Sequence, residues 1–447
     1  FGVGAMVRIE TDAGPQVRQL SLARGYLSTS EPVLHFGLGE QTRIRHLTVD
    51  WPGGASQTFN NLTVDRRLTI TEPNDPVAGV KALRENARET QFVNESEARG
   101  IAAVARERTG DDGVEPAFVA QRFNRRGPAI AVGDLDGDGV DDIVIGGTTV
   151  DAAHWLRGSV NGHWKEQGGL PVAHDGKLAD GPVLIFDADG DGAADILITK
   201  SDDGLLAGSS GYQPTLLLND KHGQFRSASE GALPSLPIST GALAAGDFNR
   251  DGRVDLFIGG RLLPGQYPQT PRSALFVNRG GRFEDVTDGL APGLSEIGMV
   301  TSALWTDVNG DGWPDLLLTL DWGGVRCFLN HEGGNFEDAG ERLGFAKGGD
   351  GWWTSLAAAD FNGDGRLDYV VGNLGLNTPY HASAAFPALL FSGDFKGDGS
   401  TQLIDAYYES EKLYPWRTRR TFGSVIPSLL KKYPQNDAYA RATIAQI

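Results

Sequence analysis

The sequence predicts an all-β fold in which a β-propeller follows a small β-domain. A nine-residue acidic pattern occurs in five strong copies, whose starts are 53, 60, 60 and 53 residues apart. An apolar run precedes each copy and a strand-like run follows it, so each copy is expected to join two strands. The chain also contains 61 glycines and 22 prolines, which suits many short strands joined by turns. Four strands per repeat of this length are typical of a propeller blade. Six loop-bearing units are visible, counting a weaker sixth copy, so the repeats by themselves leave six or seven blades open.

The repeated pattern has the composition of a cation-binding loop. Its copies read DLDGDGVDD from Asp134, DADGDGAAD from Asp187, DFNRDGRVD from Asp247, DVNGDGWPD from Asp307 and DFNGDGRLD from Asp360. Positions 1, 3, 5 and 9 carry Asp or Asn, and position 6 is Gly, which can take the positive φ that a tight loop needs. A hard divalent cation takes about six to eight oxygen ligands, and one such loop can supply most of them.

We therefore expect about five structural Ca²⁺ sites, with ligands from the side chains at positions 1, 3, 5 and 9 and from the carbonyl at position 7. The expected metal residues are Asp134, Asp136, Asp138, Val140, Asp142, Asp187, Asp189, Asp191, Ala193, Asp195, Asp247, Asn249, Asp251, Arg253, Asp255, Asp307, Asn309, Asp311, Trp313, Asp315, Asp360, Asn362, Asp364, Arg366 and Asp368. The alternative is a set of metal-free Asp/Asn/Gly turns. Carboxylates held this close repel by roughly 1–4 kcal/mol per pair, so their fivefold recurrence favours the cation.

Position 12 separates these loops from EF-hands. An EF-hand needs a bidentate Glu there, on the helix that leaves the loop. Here position 12 is apolar in every strong copy, within a strand-like run: it is Ile145, Ile198, Ile258, Leu318 and Val371. The EF-hand interpretation is therefore excluded.

A sixth, weaker copy, DFKGDGSTQ, begins at Asp394. It has Lys396 at position 3 and Gln402 at position 9. An ammonium group at position 3 would stand in for the cation, so we expect no calcium in this loop.

Charge and hydropathy restrict the partners and the compartment. The net charge is -18, which opposes binding to nucleic acid. No stretch of about 18 apolar residues is present, so no membrane span is expected. The only cysteine, Cys327, lies in an apolar run and is expected to be a buried, inert thiol. Calcium sites of the extracellular class bind at roughly 0.1–1 mM and would be empty in a cytosol. The protein is therefore expected to be secreted, periplasmic or on the cell surface.

The chain divides into three predicted segments. Residues 1–73 lack the repeat but contain β-like stretches at 6–11, 17–22, 33–36, 44–51 and 68–71, and they predict a small β-domain. Residues 74–116 are richer in Ala, Arg and Glu and predict a partly helical connector. Residues 117–447 contain the repeats and form the propeller, with a helix expected at 437–447. We expect this propeller to be truncated at its C-terminus.

Two sets of motifs resemble known families. The repeats, with GPAIAVGDLDGDGVDDIVIGG as the clearest example, resemble the FG-GAP/VCBS repeats of integrin α-subunit propellers. The segments GVGAMVRI, GYLSTSEPVLHFGLG and VDWPGG, with a terminal LTITE, resemble the ASPIC/UnbV domain of cartilage acidic protein and many secreted bacterial proteins. This resemblance implies a seven-bladed propeller, calcium in the loops and export. It implies no reaction.

One aromatic and amide group is a candidate ligand site. Trp352 and Trp353 in GGDGWWTS, together with Asn373 and Asn377 in GNLGLNT, could form a sugar-binding platform. The alternative is that the paired tryptophans pack between blades. Spacing alone leaves both interpretations open.

Two functions follow from these observations. The first is a binding or scaffolding module that presents the loops of a calcium-stabilised disc to a protein or glycan. The alternative is a propeller enzyme, a carbohydrate lyase or hydrolase, with its site in the central channel. Its acid–base group would be a carboxylate outside the calcium loops, for instance Asp321 or Glu337. The sequence favours the first and identifies no catalytic residue.

Overall fold

The computed structural model describes residues 5–20, 34, 36–51, 55–73, 93–108, 123, 128–362, 364, 366–409 and 411–447. The chain forms two compact units, Phe1–Glu95 and Ser96–Ile447. Among the described residues, no helix is long and apolar enough to cross a membrane.

The first unit contains one antiparallel sheet with the strand order β2-β1-β3-β4. Its strands are β1 (Met6–Thr11), β2 (Gly14–Gln19), β3 (Arg43–Asp50) and β4 (Ser56–Thr63). Alternate residues of β1 and β3 point inward, and Ile9, Leu47 and Val49 form a core with Ile44 and Trp51. Such alternation is the pattern of a sheet that buries one face.

Two predicted stretches of the first unit differ from the structure, and one strand was not predicted. Residues 68–71 are not a strand, and Leu34 and Phe36, which are described from the stretch 33–36, lie outside strands as well. The strand β4 was not expected, because SQTFNNLT is largely polar. It forms because its backbone pairs with β3 along its whole length, from Asp50 opposite Ser56 to Arg43 opposite Thr63.

The second unit is built from antiparallel sheets that follow one another along the chain. Three sheets have four strands each, and the next four strands form a larger sheet with the two after them. The strands are β5 (Ile130–Gly133), β6 (Asp142–Ile145), β7 (His154–Arg157), β8 (Lys165–Gly169), β9 (Asp180–Phe186), β10 (Asp195–Lys200), β11 (Thr215–Asn219), β12 (Phe225–Ser227), β13 (Ser239–Gly246), β14 (Asp255–Leu262), β15 (Ala274–Asn278), β16 (Phe283–Asp285), β17 (Met299–Thr306), β18 (Asp315–Gly323), β19 (Val325–His331), β20 (Asn335–Asp338), β21 (Gly351–Ala359), β22 (Asp368–Asn373), β23 (Leu389–Gly393), β24 (Gln402–Glu409) and β25 (Lys412–Pro415).

The predicted unit of strand, acidic loop, strand and two further strands is present in the first four repeats. The fifth repeat differs, because its described residues form two strands, β21 and β22, and β21 also pairs with β18 of the preceding repeat. The sixth repeat has three strands, β23-β24-β25.

Consecutive sheets pack face to face, with their first strands side by side. β5 lies next to β9, β9 next to β13, β13 next to β17, and β17 next to β21. Apolar side chains fill the space between them. Phe248, from the third repeat, stacks on Trp305 at 5.6 Å and meets Phe336 edge-on at 5.4 Å, and both partners belong to the fourth repeat. Such radial succession is the arrangement of propeller blades.

Helices are confined to short segments: α1 (Thr287–Leu290), α2 (Arg419–Val425), α3 (Pro427–Lys432) and α4 (Asn436–Ala440). The helix expected at 437–447 is interrupted, because a turn separates α4 from a 3₁₀ turn at Ile444–Gln446. The two helices before it were not expected.

The connector between the β-domain and the repeats is only partly described. Residues 93–108 contain turns and irregular chain, so no part of the expected helix lies there, and residues 74–92 and 109–116 are outside the described residues. This segment runs along the first repeat. The Trp164 N–H donates to the Arg99 carbonyl at 2.8 Å, and Arg106 forms an ion pair with Asp151. Tertiary contacts have replaced the local helical preference.

Candidate metal sites

All six acidic loops occupy one structural position. Each joins the first strand of a repeat to the second, so the loops lie at the same end of the inner strands. The loop therefore recurs in space as well as in sequence.

The carboxylate at position 1 organises each loop. Asp134 Oδ1 accepts the N–H of Gly137 at 2.8 Å, and its Oδ2 accepts the N–H of Gly139 at 2.9 Å. Gly139 has φ +82°, where a side chain would be strained. Asp187 and Asp307 accept the same pair of N–H groups in their loops. The backbone thus folds around one carboxylate.

The carboxylates at positions 3 and 5 lie beside the first. Oxygens of Asp134, Asp136 and Asp138 all lie within 4.8 Å of one another, and these three side chains could hold a metal ion. In the second loop the same is true of Asp187, Asp189 and Asp195. Oxygen-only donor sets of this kind suit a hard divalent cation.

The carboxylate at position 9 is fully buried in the first four loops, where it belongs to Asp142, Asp195, Asp255 and Asp315. Burial raises the pKa of each of the four, to about 6 for Asp195 and for Asp255. Backbone N–H groups offset part of that cost, because they stabilise the charged form. Asp195, for example, accepts the N–H of Ala188 at 2.8 Å.

The same carboxylate ties its loop to the third strand. Asp195 Oδ1 accepts the N–H of Asn219, Asp255 Oδ1 that of Asn278, and Asp315 Oδ1 that of Asn330, at 2.8–2.9 Å. Each asparagine is the last or nearly the last residue of its strand. Position 9 therefore acts as a structural bridge as well as a candidate ligand.

These asparagines connect neighbouring loops. The Asn278 amide donates to the Ala188 carbonyl of the preceding loop at 2.8 Å and to the Val254 carbonyl of its own loop at 3.1 Å. Its Oδ1 accepts the N–H of Gly280 at 2.9 Å. Every hydrogen-bonding group of the side chain is thus used.

The same link is present at two further asparagines. Asn219 joins the Leu135 carbonyl to that of Ala194, and Asn330 joins the carbonyls of Phe248 and Pro314. This role was not predicted from the sequence. The available signal was the Asn that follows an apolar run in LLLN, LFVN and CFLN, near the end of the third strand of each of these repeats.

The first loop differs from the next three in two ways. Gly158 takes the place of the asparagine, and its N–H donates to Asp142 Oδ1 at 2.7 Å. Arg157 forms ion pairs with Asp136 and with Asp138, the latter at 3.0 Å. Because Arg157 is nearly half exposed, it can move away when a cation binds.

The sixth loop has the same backbone fold without the acidic set. Asp394 accepts the N–H of Gly397 at 2.7 Å and that of Gly399 at 2.8 Å. Lys396 Nζ lies 3.6 Å from Asp398 Oδ2. Gln402 at position 9 replaces the carboxylate and accepts the N–H of Phe395 at 2.8 Å. A lysine side chain therefore faces the carboxylate at position 5.

The structure separates the residues of the predicted aromatic platform. Trp352 lies edge-on to Trp322 at 5.2 Å. Trp353 packs instead against the cluster around Leu317, and its Nε1 donates to the Gly349 carbonyl at 3.1 Å. Side chains of neighbouring strand residues point to opposite faces, so the two tryptophans do not share one surface.

The two amides differ in their surroundings. Asn373 is directly opposite Trp353 in the pairing of β21 with β22, and its Oδ1 accepts the N–H of Gly375 at 3.0 Å, which closes a local turn. Asn377 is exposed in a 3₁₀ turn.

The two carboxylates named for an enzyme lie on different strands of one sheet. Asp321 is near the end of β18, opposite Met299 of β17, and forms a buried ion pair with Arg261. Glu337 lies on β20, the outer edge of its sheet, and its contacts with Arg342 and His331 lower its pKa.

Comparison with known proteins agrees with the repeats and with the N-terminal unit. The family profile described as "ASPIC and UnbV" matches residues 1–77. The profile described as "FG-GAP-like repeat" matches residues 200–258 and 307–371. No curated protein sequence matches the chain.

Two solved structures have a low similarity to this chain in sequence and in fold. The exotype rhamnogalacturonan lyase YesX is 11% identical, with a TM-score of 0.34, and the match covers 92% of this chain and 68% of that one. The V. cholerae biofilm matrix protein Bap1 is 17% identical, with a TM-score of 0.20, and the match covers 64% of this chain and 35% of that one. This chain therefore spans about a third of the length of Bap1.

The fold and the loops define the class: an all-β protein of the propeller type, whose acidic loops could bind metal ions. Within this class, the chain contains FG-GAP-like repeats and an N-terminal region that matches the ASPIC and UnbV profile.

Proposed function

We propose that this chain is an extracytoplasmic, calcium-binding β-propeller that serves as a binding or scaffolding module for a protein or glycan partner. The observation that carries the proposal is the convergence of three carboxylate oxygens within 4.8 Å in each of the first two loops, whose position recurs at one end of the repeats. Without a cation these charges repel one another and destabilise the fold. Calcium suits the site because it accepts an irregular set of oxygen ligands.

The role proposed for the ions is structural. The loops connect inner strands, and the asparagines Asn219, Asn278 and Asn330 join each loop to the one before it. A cation that fixes one loop therefore also fixes a backbone carbonyl of that loop, which accepts a hydrogen bond from the asparagine of the next repeat. A site held at ten times its dissociation constant adds about 1.4 kcal/mol to the free energy of unfolding.

The extracytoplasmic location follows from the same sites. A single short loop with five proposed oxygen donors fits the weaker class of calcium sites, with dissociation constants of about 0.1–1 mM. Such sites are occupied only where the calcium concentration is millimolar, as it is outside the cell. In its more specific form, the proposal is that this chain is a secreted protein similar to cartilage acidic protein.

An enzyme is the weaker alternative. The two acids considered for it are engaged elsewhere, Asp321 in a buried pair with Arg261 and Glu337 on an outer strand. A binding module needs no acid–base group, and its rigid sheets can present loops to a partner.

The test is a calcium titration of the metal-stripped chain. We expect about five calcium ions per chain by equilibrium dialysis, and a melting temperature that falls by many degrees in EGTA. Magnesium, which demands near-ideal octahedral geometry, serves as the control and should stabilise far less. Equal melting curves in millimolar calcium and in chelator would refute the proposal.

A further inference from the structure

The strand β22, in the fifth repeat, forms an open edge of its sheet. In each of the first four repeats a third strand pairs with the second, as β15 pairs with β14 from Leu256 opposite Phe276 to Ile258 opposite Ala274. β22 pairs with β21 on one side, and in the part of the chain that the structure describes no strand pairs with it on the other. Residues 374–388, which lead from β22 to β23, contain a 3₁₀ turn and no strand.

Apolar surface is uncovered at this edge. Val370 is the second residue after the position-9 carboxylate and is 55% exposed. Its equivalents in the first four repeats are all 0% exposed: they are Val144, Leu197, Phe257 and Leu317. Each of them lies directly opposite a residue of its third strand, and the third strand and the following repeat bury them together. Val370 is therefore exposed at a position that the other repeats bury.

The position-9 carboxylate of the fifth repeat also differs from its equivalents. Asp368 is half-buried, and its Oδ2 accepts the N–H of Phe361 at 3.0 Å. In the second, third and fourth repeats the same carboxylate also accepts, through Oδ1, the N–H of an asparagine of the third strand, at 2.8–2.9 Å. Among the described residues, no N–H is bonded to Asp368 Oδ1. This oxygen is placed to accept an N–H from an added strand.

We propose that the edge of β22 binds an extended segment of a partner protein, which adds to the sheet as the third strand of the fifth repeat. In this mode of recognition, backbone hydrogen bonds along an exposed edge supply the affinity and the side chains supply the specificity. The added strand would continue an established sheet, because β22 is the last strand in the order β20-β19-β18-β21-β22. The inference rests on the proposed binding function and specifies the partner as a polypeptide.

The third strands of this chain indicate which sequence fits the edge. The second, third and fourth repeats carry LLLN, LFVN and CFLN there. The apolar residues lie opposite the second strand, and the N–H of the asparagine donates to the position-9 carboxylate. The partner segment is therefore expected to run antiparallel to β22 and to contain three apolar residues followed by Asn.

A second copy of this chain is a poor donor of such a segment. Its own segments of this sequence are already third strands in the interior, where Leu217, Phe276 and Phe328 are at most 1% exposed. A second copy would have to unfold a repeat to release one of them. A separate polypeptide with an accessible extended segment has no such cost.

The binding test uses the full chain in saturating calcium and a dye-labelled peptide, GSALFVNSG, whose centre is the third strand of the third repeat. The matched control is GSALPVNSG, in which proline removes one backbone N–H. Both peptides are uncharged in their side chains, so the net charge of the protein affects them equally. By fluorescence anisotropy we expect the first peptide to bind at least about tenfold more tightly. Equal affinities, or no binding of either peptide, would overturn the proposal.

A substitution at the edge tests the location. Val370→Lys places an ammonium group where the apolar side chain of the added strand would lie. Because Val370 is exposed in the free chain, the melting temperature should change little, while peptide affinity falls at least about tenfold. Val160→Lys, at a 93% exposed position of the first repeat, is the matched control. Peptide affinity that is unchanged in Val370→Lys would overturn the proposal.

Hydrogen exchange tests the location without a substitution, and it decides if Val370→Lys does not fold. The peptide should slow exchange at amides of β22 by at least about tenfold and leave the edge strand β4 of the first unit unchanged. A lack of protection in β22 would overturn the proposal. A dimer of the free chain, seen by sedimentation and lost in Val370→Lys, would assign the edge to a second copy and overturn it as well.

The outcomes separate this inference from the proposed function. Calcium counts near five without peptide binding would overturn the inference alone. Peptide binding by a chain that takes up no calcium would overturn the calcium-binding function and support the inference.

Discussion

At the scale of single residues, the asparagine at the end of the third strand of a repeat connects that repeat to the one before it. Asn278 uses both of its amide hydrogens and its oxygen, and the groups that it bonds belong to two different repeats. Leaving buried carbonyls without donors costs about 1–3 kcal/mol each. A residue at the end of one strand therefore holds two repeats together.

Asn278→Ala is expected to lower the free energy of unfolding by about 2–3 kcal/mol, because the carbonyls of Ala188 and Val254 lose their donor. The measurement is the urea midpoint in saturating calcium. Asn335→Ala, at an exposed position of the edge strand β20, is the control and should change the stability by less than about 0.5 kcal/mol. Equal effects of the two variants would show that the inter-repeat link contributes nothing.

Cys327 provides a second test at this scale. Its side chain is fully buried on β19, and burial raises its thiol pKa to about 12. The thiolate is the reactive form, so a thiol reagent at mildly alkaline pH should leave the folded protein unlabelled and label one thiol once denaturant is added. Rapid labelling of the calcium-loaded protein would contradict the buried position.

At the scale of elements, the six loops show that a shared backbone does not require a shared ligand set. In the sixth loop the carboxylate at position 1 accepts the same two N–H groups as in the first, second and fourth loops. Lys396 and Gln402 replace the oxygen donors at positions 3 and 9. Loop fold and metal binding are therefore separable, and the side chains decide the second.

Conversion of the sixth loop tests this separation. The double variant Lys396→Asn, Gln402→Asp restores the acidic pattern, and we expect one additional calcium ion per chain by equilibrium dialysis. Lys396→Arg, which retains a cation at position 3, is the control and should leave the count unchanged. A count that does not rise in the double variant would mean that pattern alone is insufficient for binding.

At the scale of the whole molecule, the repeats are not equally well packed. All residues of β14 are buried, and so are most of β18, whereas β22 is only partly buried and has no third strand beyond it. Regions with less buried apolar surface open locally at lower free energy. Stability should therefore decrease from the third and fourth repeats toward the fifth.

Hydrogen exchange measures this gradient. In saturating calcium, amides of β14 and β18 are expected to exchange most slowly, and amides of β22 at least about tenfold faster. In EGTA, protection should also fall in β10, β14 and β18, because their first residues are the position-9 carboxylates Asp195, Asp255 and Asp315. Protection that is uniform across repeats, or insensitive to EGTA, would contradict this account.

The sequence by itself determined the repeat. Asp, Asn and Gly at fixed positions between two apolar runs leave the chain few conformations other than a tight loop between strands, and this local constraint is visible without any tertiary contact. The all-β fold and the strand–loop–strand order followed from it and are confirmed. The metal residues and the calcium stay predictions.

Only the tertiary structure decided which repeat touches which, and through what atoms. β4 is a strand because β3 pairs with it, although its polar sequence did not predict a strand. Residues 93–108, whose composition favours a helix, form turns and irregular chain along the first repeat. Trp352 and Trp353 are adjacent in sequence but separate in space, while Arg261 and Asp321 meet across 60 residues. Sequence spacing specifies local geometry, whereas contacts between distant residues depend on how whole sheets pack.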